Sequence, residues 1–60
     1  MVYDNIKTIC EQRGISITQL EKQANLTSGS ISKWNKHVPQ ADRLKAVADV
    51  LHVKMDKLLE

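Results

Sequence analysis

Between Gly14 and Pro39 the chain has room for two short helices joined by a tight turn, and for little else. Glycine closes a helix by adopting a left-handed backbone, and proline cannot continue one. Ser16 followed three residues later by Gln19 is a capping-box pattern. It predicts a helix over about residues 16–24 that buries Leu20 and Ala24, with Ile15 over its entrance. Asn25 takes the turn, because asparagine is among the few non-glycine residues that tolerate positive φ. Thr27 is then expected to cap a further helix over about residues 27–36, which Pro39 prevents from extending.

The flanks read as helix as well. Val2, Ile6, Ile9 and Cys10 form one apolar stripe of a helix over about residues 3–13. Ala41, Leu44, Val47, Ala48 and Leu51 do the same over about residues 40–51. A short last helix, about residues 55–59, is expected to return Met55, Leu58 and Leu59 to the core. Nothing favours strands, so the expectation is an all-α, five-helix single domain. Sixty residues lie near the lower limit for a core without metal or disulfide support. Phenylalanine is absent and Tyr3 and Trp34 are the only aromatics, so Ile, Leu, Val and Ala must fill that core. A single cysteine, Cys10, forbids an internal disulfide and fits a cytoplasmic location. The apolar runs, as at Val50-Leu51 and Leu58-Leu59, are too short for a membrane span or a signal peptide.

The net charge of +2 is too small to name a partner, but its distribution is uneven. Residues 27–45 carry Lys33, Lys36, Arg43 and Lys45 against Asp42 alone, a local +3. At about 100° per residue, Ser28, Gly29, Ser32, Lys33 and Lys36 fall on one side of the second helix of the pair, and Ile31 and Trp34 on the other. A small, polar, basic face on an apolar base suits the major groove of DNA.

On that reading Ser28, Ser32 and Lys33 meet base edges, and Gly29 allows close approach of the backbone. Lys33 is suited to guanine N7 and O6, whereas the serines donate or accept and so specify weakly. Phosphate contacts are expected from Ser16 and Thr18, with the free N–H groups opening the first helix of the pair. Lys36, His37 and Arg43 contribute from the other side; Arg43 has pairing with Asp42 as its alternative.

Other chemistry finds no support. Trp34 shares a face with Ile31 and reads as core rather than as a base-stacking platform. Cys10 reads as a small buried hydrophobe. His37 and His52, with one distant cysteine, do not form a metal-ligand spacing. No nucleophile–His–carboxylate set or Gly-rich phosphate loop occurs, so neither an enzyme nor a cofactor is expected.

With Leu20, Ala24, Asn25, Leu26, Ile31, Trp34 and Pro39 placed, the chain resembles the Cro/repressor-type (XRE) helix-turn-helix family. The likeness runs from about Ile6 to Leu59 and includes Leu44-Lys45-Ala46-Val47-Ala48-Asp49 and the closing Val53-Lys54-Met55-Asp56-Lys57-Leu58-Leu59. It implies a lambda-repressor-like fold with the helix-turn-helix at helices 2 and 3. The implied function is that of a phage- or bacterial-type repressor on double-stranded DNA, with a two-half-site operator. The chain departs from the family at Glu21, where alanine is usual, and at Ile17 and Asn35, where glutamine and glutamate are common. Asn25 replaces the turn glycine, and His52 replaces a small residue. Apolar surface at Val50, Met55, Leu58 and Leu59 marks a possible weak homodimer contact. The competing reading is a protein-interaction module that keeps the fold without reading DNA; it predicts a more apolar, less basic surface on the second helix of the pair.

Overall fold

Four α-helices and one 3-10 helix make up the computed structural model, which describes residues 1–60 throughout. They are α1 (Val2–Arg13), α2 (Ile17–Gln23), the 3-10 helix (Ile31–Asn35), α3 (Ala41–Leu51) and α4 (Met55–Leu59). The helix α1 packs against α2, the 3-10 helix and α4, while α3 packs against α2 and α4. The fully buried side chains Ile6, Leu20, Ile31, Val47, Leu51 and Leu58 come from all five elements, so one core ties them together. Burial of each such side chain stabilises the fold by roughly 1.5–3 kcal/mol. The two ends of the chain are joined by Asn5, whose Nδ2 donates to the Leu58 carbonyl at 2.9 Å.

Three of the helices end in the same way. Gly14, Asn25 and His52 all take left-handed backbone, with φ of 70°, 60° and 58°. After each, the next N–H reaches back five residues: Ile15 donates to Cys10, Leu26 to Glu21 and Val53 to Ala48, at 3.0, 2.8 and 3.0 Å. The left-handed residue itself donates three residues back, to Glu11, Lys22 and Asp49. This paired pattern is a Schellman motif, which satisfies the otherwise orphaned carbonyls of a helix end. Ile15, Leu26 and Val53 then fold down onto the core, so each motif seals its helix with an apolar residue. Asn25 and His52 perform without glycine what Gly14 performs with it.

The start of α2 follows the sequence pattern. Ser16 Oγ accepts from the Gln19 N–H at 3.0 Å, and Gln19 Oε1 accepts from the Ser16 N–H at 2.9 Å. The segment that follows the turn departs from it. Instead of an α-helix over about 27–36, residues Thr27–Ser30 form a turn and only Ile31–Asn35 are helical, as a 3-10 helix. Gly29 at φ 88° is incompatible with an α-helix, and the Ser30 N–H donates to the Thr27 carbonyl at 3.0 Å. That hydrogen bond, with positive φ at the third residue, marks a type II turn. Thr27 therefore acts through its carbonyl and makes no side-chain cap.

Three smaller expectations also change. Ala41 is exposed, because the core stripe of α3 begins one turn later at Leu44. Leu59 is 52% exposed and stays outside the core. Leu58 lies at 0% exposure between α1 and the rest of the core, which removes it from any surface for a second copy. Val50 and Met55 are half-buried.

Candidate nucleic-acid interface

A 3-10 helix repeats every three residues rather than every 3.6, which regroups the side chains after the turn. Ile31 and Trp34 eclipse one another and both are buried. Ser32 and Asn35 share a second line, and Lys33 and Lys36 a third; all four are exposed. Asn35 thus lines up with Ser32 on an outward edge, where an α-helix would offset the pair by about 60°. Ser28, in the turn, is exposed, and Gly29 is half-buried.

Lys33, His37 and Arg43 come together around the edge of Trp34. With Ser30, Val38, Pro39 and Gln40 they line an open concavity of about 240 Å³. Lys36 is exposed but lies outside it, as do Ser16 and Thr18 at the start of α2. The two ion pairs of the molecule, Lys45–Asp49 at 3.2 Å and Lys57–Glu60 at 3.7 Å, both lie elsewhere. Lys33, Lys36, His37 and Arg43 therefore face solvent with no acidic partner. Asp42, the nearest acid in sequence to Arg43, instead accepts from the backbone N–H of Arg43 at 2.9 Å. The unpaired positive charge of this stretch thus lies at Lys33, Lys36 and Arg43, since Lys45 is already paired.

The sequence profile of the Cro/C1-type HTH DNA-binding domain matches residues 5–60. The chain belongs to this family. No curated protein and no solved structure matches it.

Within this Cro/C1-type domain the least expected residue is Glu21. It is 3% exposed and is the one charged side chain in the interior. Its Oε2 accepts from the N–H groups of both Gly29 and Ile31, each at 3.0 Å. Hydrogen bonds to an ionised acceptor are about twice as strong as neutral ones, which offsets the cost of taking the carboxylate out of water. The hint in the sequence was the departure from alanine at this position; the partners follow only from the fold. At the next peptide group, Ser32 Oγ donates to the Gly29 carbonyl at 2.8 Å.

The remaining candidates for chemistry are quiet. Burial pushes the Cys10 thiol above its ordinary pKa, so it holds its proton. No three His, Cys, Asp or Glu side chains lie together in a way that would hold a metal ion. No helix is long and apolar enough to cross a membrane.

Proposed function

We propose that this domain is a sequence-specific transcriptional regulator of the repressor type, which presents residues 28–36 to the major groove. The observation that carries the reading is the three cations Lys33, Lys36 and Arg43, exposed without acidic partners together with His37 and the small polar side chains of Ser28 and Ser32. Unpaired cations attract the phosphate backbone, and small polar groups let the chain approach base edges. With overall extents of 24 × 22 × 17 Å, one domain covers a single half-site.

In this reading Ser28, Ser32 and Lys33 contact base edges, with Gly29 at closest backbone approach. Asn35, on the same edge as Ser32, adds a side chain suited to adenine N6 and N7. Lys36, His37 and Arg43 contact phosphate from one side of the groove, and Ser16 and Thr18 from the other. The Ser16 side chain serves this role through its hydroxyl proton, since its oxygen already accepts from Gln19. Two copies bind a two-half-site operator, with Val50, Met55 and Leu59 as the facing apolar surface.

Selection of bound duplexes from a random pool tests the proposal. A shared half-site motif is the expected outcome. Retention of all sequences alike would limit the domain to backbone attraction, and no retention at low salt would favour a protein partner.

A further inference from the structure

We infer that Glu21 is a positioning residue for DNA recognition: with Ser32 it holds the two peptide groups that flank Gly29 and sets the shape of the Thr27–Ser30 turn before DNA arrives. The inference rests on the reading of residues 28–36 as the groove-facing segment.

Three observations meet at Gly29. Its N–H donates to Glu21 Oε2 at 3.0 Å, and its carbonyl accepts from Ser32 Oγ at 2.8 Å. The same carboxylate oxygen also accepts from Ile31, the first residue of the 3-10 helix, so the turn and the helix are fixed to one point on α2. Gly29 has φ 88°, and a Cβ built there would meet nothing within 4 Å. Glycine is thus required by the backbone angle rather than by lack of space. No side chain at Gly29 packs to fix this angle, so the hydrogen bonds around it carry that role.

The arrangement has a consequence for recognition. The Gly29 and Ile31 N–H groups are already engaged inward, so they are not the donors that meet a phosphate. Recognition then depends on the side chains of Ser28, Ser32 and Lys33, whose relative positions the clamp determines. Ordering this loop during folding removes an entropic cost from binding. That benefit falls on contacts needing exact placement, the base edges, more than on general phosphate attraction.

The test compares Glu21→Gln, which keeps an acceptor oxygen, with Glu21→Met, which fills similar space without one. Glu21→Ala is less useful because it also leaves a cavity. Each variant is measured at a temperature where melts show it folded. Two quantities are read: the affinity ratio between a duplex selected by the wild type and a random duplex, and amide exchange at Gly29 and Ile31 relative to Leu20 and Val47.

Glu21→Met should lower the affinity ratio by about tenfold or more, with random-duplex affinity little changed, and should speed exchange selectively at Gly29 and Ile31. Glu21→Gln should keep the ratio within about threefold of wild type. A folded Glu21→Met with the wild-type ratio overturns the positioning role, as does a Glu21→Gln that behaves like Glu21→Met. If Glu21→Met does not fold, loss of the ratio in folded Glu21→Gln with wild-type exchange at Gly29 and Ile31 overturns it equally. A wild type that binds all duplexes alike overturns both the sequence-specific reading and the positioning role, and the exchange rates then still decide whether the clamp exists.

Discussion

The Ser32 hydroxyl donates to the Gly29 carbonyl at 2.8 Å, so its one proton is committed inside the chain. What it presents outward is lone pairs alone. In the major groove such a group pairs with the N4 amine of cytosine or the N6 amine of adenine, and not with guanine O6 or thymine O4. Ser32→Ala should therefore relax most strongly one operator position that prefers cytosine or adenine, at a cost of about 1 kcal/mol, roughly fivefold in affinity. Smaller losses should follow at the positions read by Ser28 and Lys33, as the Gly29 carbonyl is released. Selections with wild type and variant read this directly; a wild-type preference at every position in the variant would show that Ser32 reads no base.

Lys33 and Arg43 line the same concavity but are expected to fail differently. Arg43→Ala should weaken all duplexes alike and reduce the log–log salt slope by about 0.9, the signature of one lost phosphate contact. Lys33→Ala should alter the preference at one base position, with discrimination changed by about 1–3 kcal/mol. Titrations at several salt concentrations, on cognate and random duplexes, separate the two. If Lys33→Ala shows only the slope change, Lys33 belongs with His37 and Arg43 as a phosphate ligand.

Trp34 is 5% exposed and eclipses Ile31 on the inner line of the 3-10 helix. Its replacement by alanine removes a large side chain from the core and should cost about 3–5 kcal/mol. For a domain of 60 residues that is much of the total stability. Thermal melts should show a partly or wholly unfolded variant. A melt close to wild type with DNA binding abolished would instead make Trp34 a contact residue.

His52 holds left-handed backbone at φ 58° on an exposed helix end. A side chain there costs roughly 1–2 kcal/mol, and glycine gives back part of that gain through its freedom in the unfolded chain. His52→Gly should raise stability by about 0.5–1 kcal/mol, visible as a higher melting temperature. Unchanged or lower stability would mean that the imidazole makes a compensating contact.

The parts of the fold legible in the sequence were those set by local chemistry. The capping box of Ser16 and Gln19, the stops at Gly14 and Asn25, and the apolar stripes of α1 and α3 depend on residues a few positions apart. The segment after Asn25 is not the α-helix that its periodicity predicts, because its shape is decided from outside it. Glu21, eight residues before Gly29, takes the N–H groups that an α-helical continuation would have used or left to solvent. Helical periodicity carries no record of such a partner. The same change aligns Asn35 directly with Ser32 through a three-residue repeat, and the concavity sets Lys33 with Arg43, which lies ten residues further on. Leu58 and Leu59 show the matching limit in the core. Adjacent and alike in chemistry, they are separated by packing alone into one buried and one exposed residue.

That separation narrows the surface through which two copies would meet. Leu59 is 52% exposed, and Val50 and Met55 are half-buried near the end of α3 and on α4. The area is small, so pairing in free solution should be weak and should appear mainly on DNA. A symmetric contact there would set the two groove-facing segments about one DNA turn, roughly 34 Å, apart. If about four cations per copy meet phosphate, the two-copy complex should show a log–log salt slope near −7, and a single copy about half of that. Leu59→Ser should abolish cooperativity on a two-half-site duplex while leaving affinity for a single half-site unchanged. Titration of one-half-site and two-half-site duplexes at varied spacing measures both effects. Equal affinity per half-site at every spacing, in wild type as in Leu59→Ser, would establish that the copies bind independently.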